Sequence, residues 1–361
     1  MASMRRKAVT IREVAQRAQV SVSTVSQVVN GNPRYVGADK RERVLQAVQE
    51  LQYRPNAIAR SMVKQRTGTI GMIFTSVLDN LFIRIVESVQ ETLGAQGYTI
   101  FLANTPDIAS ELQAIEALQA RQVDGFIFMS TTSVSESAHL LRLQEAGVPL
   151  VVINRHLEAD CDLNQIQLND KEAGYLATRH LLDLGHRSIA LIGGPRPGSV
   201  PYWYSAADRQ EGWERALAEE GITASPDWLF DGQYTFEGGY AAAMQMLRQA
   251  GSRSRLPGAL FVASDAMTVG ALRALHYAGL RVPQDIALIS IGDTAYAPHM
   301  TPALTTLAHP LTEAGQIAAR ILLEQMASSE TLPTRRLTLS FELRVRESCG
   351  SRPLPERPVF Y

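Results

Sequence analysis

Cysteine is nearly absent: Cys161 and Cys349 are the only two among 361 residues. Two thiols build no disulfide framework, and no thiolate metal motif accompanies them, so a reducing compartment is expected. No apolar run reaches the roughly 20 residues that a membrane-spanning helix needs. The opening residues, Met1 to Val9, are basic but lack the apolar segment of a secretory signal. The expectation is a cytoplasmic protein with no membrane partner. Several enzyme signatures are also missing. No G-x-G-x-x-G follows the first strand of the core, and neither G-x-x-x-x-G-K-[ST], G-x-S-x-G nor H-E-x-x-H occurs. His180 and His186, six positions apart at one helix end, read as a cap and a packed ring rather than as ligands. No catalytic residue, metal site or cofactor is expected, and the chain is read as a non-enzyme.

Net charge is scarce as well, at −1, yet that figure hides a split. Residues 1–66 hold 13 Lys and Arg against 4 Asp and Glu, a balance of +9; the other 295 residues hold 22 against 32, a balance of −10. A basic head on an acidic body suits a polyanionic partner, because Lys and Arg release counterions from phosphate while the body stays clear. Hydrophobic content of 45% and this length allow two or three domains with ample core.

What is present begins with Val9 to Asn30. Thr10 followed three residues later by Glu13 is a capping box, so a helix starts there, with Val14, Ala15 and Ala18 on its apolar face. After a turn at Gln19–Val20, Ser21 caps a second helix whose buried side is Val25, Val28 and Val29. Two short helices this close pack as a helix-turn-helix. The free face of the second carries Val22, Ser23, Ser26 and Gln27, small or neutral residues suited to a major groove. The segment Arg41 to Gln52 reads as a third helix, capped at Asp39, and Tyr53–Arg54–Pro55–Asn56 breaks it. Asn56 to Met62 offers two helical turns, too short to be stable alone.

The run T-I-R-E-V-A-Q-R-A-Q-V-S-V-S-T-V-S-Q-V-V-N resembles the DNA-binding helices of the lactose-repressor/galactose-repressor family of bacterial regulators. That likeness implies double-stranded operator DNA as partner and assigns its contacts to Thr10, Ser21, Val22, Ser23, Thr24, Gln27, Asn30 and Tyr53. It makes residues 56–67 a hinge helix and linker, in which Asn56, Ala59 and Met62 meet DNA and Met62 wedges into the minor groove. Four positions depart from the family pattern. Gln19 stands where Gly is usual in the turn, Gln27 where Arg often reads a base, Gly37 where Ser caps the third helix, and Met62 where Leu is usual.

From Thr69 onward strand-like and helical segments alternate. The apolar runs are Ile70–Phe74, Thr99–Ala103, Gly125–Met129, Leu150–Ile153, Ile189–Ile192, Leu229–Asp231, Leu260–Ala263 and Ala287–Ile291. Helical periods such as Ala173–Leu184 and Ala266–Tyr277 lie between them. Alternation of this kind builds parallel sheets through right-handed crossovers. The strands are too many for one comfortable sheet, so the reading is two subdomains with a ligand cleft beyond the strand ends. The fold class expected is a small all-α head plus an α/β core, like a periplasmic sugar-binding protein. The resemblance covers essentially the whole core, including Val123–Asp124–Gly125, Ser264–Asp265 and Pro302 to Thr306. It implies crossings near Asp170, near Asp293–Met300 and near Thr331. The domains are then 9–55, 56–67 and 68–350, with a tail from 351. Subdomain one takes 68–169 and 300–330, and subdomain two takes 170–299 and 331–350. The tail lacks leucine heptads, so a homodimer is expected.

Cleft candidates are polar residues at strand ends. Asp293 follows Ile289 to Gly292, and Arg209 opens the helix after Gly193–Gly194–Pro195. A carboxylate accepts two hydroxyl protons and a guanidinium offers a donor fork, which together suit a polyhydroxylated ligand. Both match effector-contacting positions in the resembling family, as do Asn154, Tyr234 and Ser264, the last commonly Asn there. Phe82 is either an apolar wall of the cleft or a packed residue of the first core helix. The segment from Arg196 to Asp208 carries Tyr202, Trp203 and Tyr204 in a row. Trp203, with Tyr202 or Tyr204, either covers the cleft mouth or packs on the subdomain surface. The expected function is a repressor whose operator affinity is changed by a small effector, a carbohydrate foremost. A corepressor-type regulator answering to a purine-like ligand or a partner protein, and an enzyme or transport-type binding protein on the same core, are the alternatives.

Overall fold

A computed structural model describes residues 9–29, 36–53, 66–75, 80–129, 137–157, 161–195, 204–330 and 332–351, with the backbone alone at 80–82. They divide into two compact units that meet at Thr67 and Gly68. In the first, α1 (Ile11–Ala18) starts at the capping box, where the Thr10 amide donates to Glu13 Oε2 at 2.6 Å and the Glu13 amide to Thr10 Oγ1 at 3.4 Å. It ends at Gln19, whose φ of 54° is left-handed; that conformation costs a non-Gly residue about 1–2 kcal/mol. The Ser21 hydroxyl accepts from the Thr24 amide at 3.2 Å and so caps α2 (Val22–Val29). The third helix, α3, runs Ala38–Glu50 with Gly37 as its N-cap. It therefore starts three residues before the expected Arg41, and Asp39 lies in its first turn instead of capping it. Val14, Ala18, Val25, Val44, Ala47 and Tyr53 close the core of this head.

The second unit holds two six-stranded sheets. Sheet one collects β1 (Thr69–Phe74), β2 (Thr99–Asn104), β3 (Gly125–Met129), β4 (Leu150–Ile153), β5 (Gln165–Leu168) and β11 (Arg336–Leu339), in the order β11-β5-β4-β3-β1-β2 and parallel throughout. Sheet two collects β6 (Ile189–Gly193), β7 (Leu229–Asp231), β8 (Ala259–Val262), β9 (Ala287–Ile291), β10 (Thr305–Ala308) and β12 (Glu342–Arg344). Its order is β12-β10-β9-β8-β6-β7, and only the β10–β12 pairing is antiparallel. The first sheet is covered by α4 (Asn80–Gly94), α5 (Ile108–Gln119), α6 (Ala138–Glu145) and α11 (Leu311–Ala327). The second is covered by α7 (Asp170–Asp183), α8 (Tyr204–Glu219), α9 (Phe236–Ala250) and α10 (Asp265–Tyr277). Central strands such as β3, β4, β6 and β9 are buried at every position, which is why they read as unbroken apolar runs.

The chain passes between the subdomains at Asn169–Asp170, at His309–Pro310 and at Ser340–Phe341. Two of these sites correct the expected boundaries. Because β10 pairs with β9, residues 300–308 belong with subdomain two, and the second crossing falls at 309 instead of 300. Because β11 pairs with β5, the segment to 339 belongs with subdomain one, and the third crossing falls near 340 instead of 331. The helix α8 begins at Tyr204, so Arg209 lies within it and does not open it.

Helices α7 and α8 meet backbone to backbone through two glycines. A Cβ on Gly174 would stand 2.2 Å from the Arg209 carbonyl oxygen, and one on Gly212 would stand 2.1 Å from that of Lys171. Neither contact is with a flexible side chain, so relief requires moving a helix. Gly174→Ala is therefore expected to destabilise the core by about 1–3 kcal/mol, the usual range for overpacking. Urea unfolding of the variant beside the parent measures this, and an unchanged midpoint would show that the helices separate freely.

Candidate functional site

The head presents its second helix for contact. Val22 is 41% exposed, and Ser21, Ser23 and Gln27 are exposed, while Thr24 is half-buried. Ser21 shares its hydroxyl with Ser23 and Thr24, at 2.8 Å each, so three of the candidate contact residues form one small hydroxyl cluster. Thr10 is exposed at the start of α1, within the capping box. Tyr53 differs: its side chain is only 9% exposed and packs into the head's core. Asn30, Asn56, Ala59 and Met62 lie outside the described residues.

In the core, a buried ion pair organises the crossings. Arg209 Nε donates to Asp170 Oδ1 at 2.8 Å, Nη1 to the Ala263 carbonyl at 2.5 Å, and Nη2 approaches His309 Nε2 at 3.3 Å. Arginine has no acceptor, so His309 Nε2 is the accepting nitrogen and its proton sits on Nδ1. Burial, and then the charge of Arg209, hold the His309 pKa well below its ordinary value, which keeps the ring neutral. That ring tilts against Phe341 with centroids 4.7 Å apart. Asp170, His309 and Phe341 each stand at one of the three crossings. One guanidinium on α8 thus ties the first two directly and reaches the third through an imidazole.

A cavity of about 500 Å³ opens beside this node, between α4 and the ends of β9 and β10. Ile83, Arg84 and Glu87 line it from subdomain one; Asp265, Asp293, Tyr296 and Arg344 line it from subdomain two, with His309 at the crossing. Asp293 is heavily engaged there. Its Oδ1 accepts from Thr306 Oγ1 at 2.9 Å and pairs with Arg346 at 2.8 Å, and its Oδ2 pairs with Arg344. Burial works to raise its pKa, but the hydrogen bonds from Arg346 and Thr306 hold it below the ordinary value. Asp265, 7% exposed, is the opposite case: burial pushes its pKa up to about 7, against a backbone hydrogen bond from Thr294 and with Asp293 adding to the rise.

The remaining candidates are partly gathered. Tyr234, with φ of 55°, lies against Gly194 and places its ring 5.8 Å from the Arg209 guanidinium. Ser264 caps α10 by accepting from the Met267 amide at 3.3 Å. Asn154 sits just past β4 with φ of 49° and is not among the cavity's lining residues. The backbone of Phe82 precedes Ile83 in α4, but its side chain is outside the described residues, as is Trp203. Tyr204 stacks on His156 with centroids 3.8 Å apart and planes at 10°, joining α8 to the segment after β4 and so one subdomain to the other. Sequence reading passed over His156, Asp170, Asp265 and His309. Asp265 and Asp170 each follow a capping residue at a strand end, the available signal for both.

A helix-turn-helix head followed by a two-subdomain binding core defines a DNA-binding transcriptional repressor with an effector domain. Residues 10–56 match the model for bacterial regulatory proteins of the lacI family, and residues 178–349 match that for a periplasmic binding protein-like domain. The HTH-type transcriptional repressor PurR of Haemophilus influenzae (strain PittEE) is 35% identical over 345 residues, 95% of this chain and 99% of that protein. The lac repressor dimer bound to operator and the anti-inducer ONPF superposes with a TM-score of 0.80 at 28% identity, covering 95% of this chain and 99% of that one. The complex of the transcriptional regulator CelR with cellobiose gives 0.68 at 30% identity, over 94% and 99%. The chain belongs to the lacI family of bacterial regulatory proteins.

The state of Asp265 has a consequence for stability. Its pKa rises from 3.8 to about 7 on folding, so the folded protein holds this proton more tightly than the unfolded chain. Stability from this group is full below about pH 4 and is lost as pH rises to about 7, by a few kcal/mol at most. Asp265→Asn is expected to remove that part of the pH dependence, making the variant relatively more stable at pH 7.5 than at pH 5. Parallel urea titrations at the two pH values measure it; a parent–variant difference independent of pH would contradict the assignment.

Proposed function

We propose that this repressor acts in the cytoplasm as a homodimer on a pseudo-palindromic operator and is released by a small effector, a carbohydrate foremost, bound between its core subdomains. The observation that carries the reading is the cavity itself. It is walled by both subdomains and abuts the Arg209 node that ties their crossings, so a ligand seated there acts on the subdomain arrangement. A ligand that prefers the low-affinity arrangement shifts the population toward it and lowers operator occupancy. Beside apolar residues such as Ile83 and Leu311, the lining includes carboxylate, guanidinium, imidazole, hydroxyl and phenol groups, which suits a ligand bearing many hydroxyls on an apolar ring. Similarity to a regulator solved with cellobiose supports the same class.

Two further features support the partners. On β2, the edge strand of sheet one, Phe101 and Leu102 are 41% and 51% exposed, an apolar edge suited to a second copy of the chain. On the head, the face of Val22, Ser23 and Gln27 is free to enter a major groove, with Gln27 suited to a bidentate contact with adenine.

Fluorescence anisotropy of the full chain on a selected operator tests the whole reading. Affinity should fall steeply with salt, by about 0.9 in the log–log slope for each phosphate neutralised. Gln27→Arg should shift preference at one base pair per half-site, and a sugar from a carbohydrate panel should weaken binding. A flat salt response would exclude the head as the DNA contact. A ligand that strengthens binding would favour the corepressor alternative.

A further inference from the structure

Gln19 holds a backbone conformation that glycine adopts without steric cost. It ends α1 at φ 54° and ψ 47°, with its backbone N–H donating to the Ala15 and Gln16 carbonyls and its side chain exposed. The conformation alone carries no function, since Gln52 and Gln122 hold the same region at φ of 48° and 57°. What separates Gln19 is its surroundings. It borders a cavity of about 510 Å³ in the head, together with Gln16, Ser21, Thr24 and Lys40. The charge there is of one sign: Lys40 is exposed, and no carboxylate lines the cavity. Asp39, the neighbour of Lys40 in sequence, pairs with Arg43 at 3.4 Å. The side chains of Gln19 and Lys40 make no hydrogen bond or ion pair among the described residues. Both are open to solvent, so a ligand reaches them without displacing any part of the protein.

Ammonium, amide and hydroxyl groups all donate hydrogen bonds, and a cation with no carboxylate beside it selects an anion. The cavity adjoins the face offered to DNA, because Ser21 and Thr24 line it and also share the hydroxyl cluster with Ser23 at the start of α2. In a helix-turn-helix the helix before the turn crosses the DNA backbone, which brings phosphates rather than base edges to this side of the motif. Resting on the reading of the head as the DNA contact, we infer that Gln19 and Lys40 together hold one phosphate of the operator backbone. The Gln19 side-chain amide donates to a phosphate oxygen, and the Lys40 ammonium neutralises the charge. Gln19 thus has two effects of opposite sign: its left-handed backbone strains the turn, and its side chain strengthens DNA binding.

The test is fluorescence anisotropy of the full chain on a selected operator and on an unrelated duplex, across a salt series. Gln19→Gly should weaken both DNAs by the same factor, about three- to tenfold, as the loss of one hydrogen bond to phosphate does. Because glutamine is uncharged, the log–log salt slope should stay that of the parent. Lys40→Gln should weaken both DNAs and reduce the slope by about 0.9. The double variant should lose less than the product of the two single losses, since both side chains act on one phosphate. Hydrogen–deuterium exchange of the α1 and α2 amides should be no faster in Gln19→Gly than in the parent, because glycine relieves the turn. Faster exchange accompanying the weaker binding would make Gln19 a structural residue and overturn the inference. Parent-like affinity in Gln19→Gly, or a parent-like slope in Lys40→Gln, would overturn it as well. A loss confined to the operator would make Gln19 a base reader and overturn the phosphate assignment. A flat salt response in the parent would take down the reading of the head and this inference with it; a steep parent slope with unaffected variants would strike the inference alone.

Discussion

The buried pair of Arg209 and Asp170 is the constraint on which the rest of the core depends. Both side chains are about 95% shielded, with relative exposures of 6% and 5%. Each charge alone would be strongly disfavoured there, and removing one partner of such a pair typically costs about 3–5 kcal/mol. The pair exists because α7 and α8 approach closely enough at Gly174 and Gly212 to bring a residue of one helix start against the second turn of the other. Once formed, it leaves the guanidinium two further donors. One goes to the carbonyl that ends sheet two's β8 region, and the other to the histidine at the second crossing.

That geometry couples the crossings mechanically. Two subdomains joined by three strands of chain move as hinged bodies unless something couples the hinges. Here one side chain couples them, and the cavity borders it through His309. A ligand needs no large displacement to matter: it needs only to interact differently with two arrangements of the crossings, and a difference of about 1–3 kcal/mol is typical of coupling between sites. The His156–Tyr204 stack is a second, independent link between the subdomains. Asp293, by contrast, serves the frame of the cavity by holding two arginines of the segment around β12.

Much of the architecture was legible in the sequence, for reasons that also explain the misses. The capping box at Thr10 and Glu13 and the periodic apolar residues of the head are local signals, and the helices there follow them. Six of the eight apolar runs of the core are interior strands, buried on both faces, and the other two, β2 and β7, are edge strands that stay apolar enough to read the same way. The four strands passed over lack that signature. In β5, Gln165 and Gln167 alternate with Ile166 and Leu168; β10 opens with two threonines, and β11 and β12 carry arginine. Those omissions displaced the second and third crossings by about nine residues each. The candidate site shows the same division. Arg209 and Asp293 were visible as charges at strand exits, but whether a charge is free or committed depends on partners far away in sequence, such as Asp170, Arg344 and Arg346. The burial of Asp265 depends on the missing side chain at Gly292, against which its carboxylate packs, and no local pattern reveals that.

A double-mutant cycle on Asp170 and Arg209, read by urea unfolding of the full chain's core transition, tests the central claim most directly. The account predicts that Asp170→Asn and Arg209→Met are each strongly destabilising, by about 3–5 kcal/mol. The double variant should be destabilised by less than the sum of the two, with an interaction energy of at least about 1 kcal/mol. Additive losses, or single variants as stable as the parent, would show that the pair does not hold the crossings together and would contradict the account.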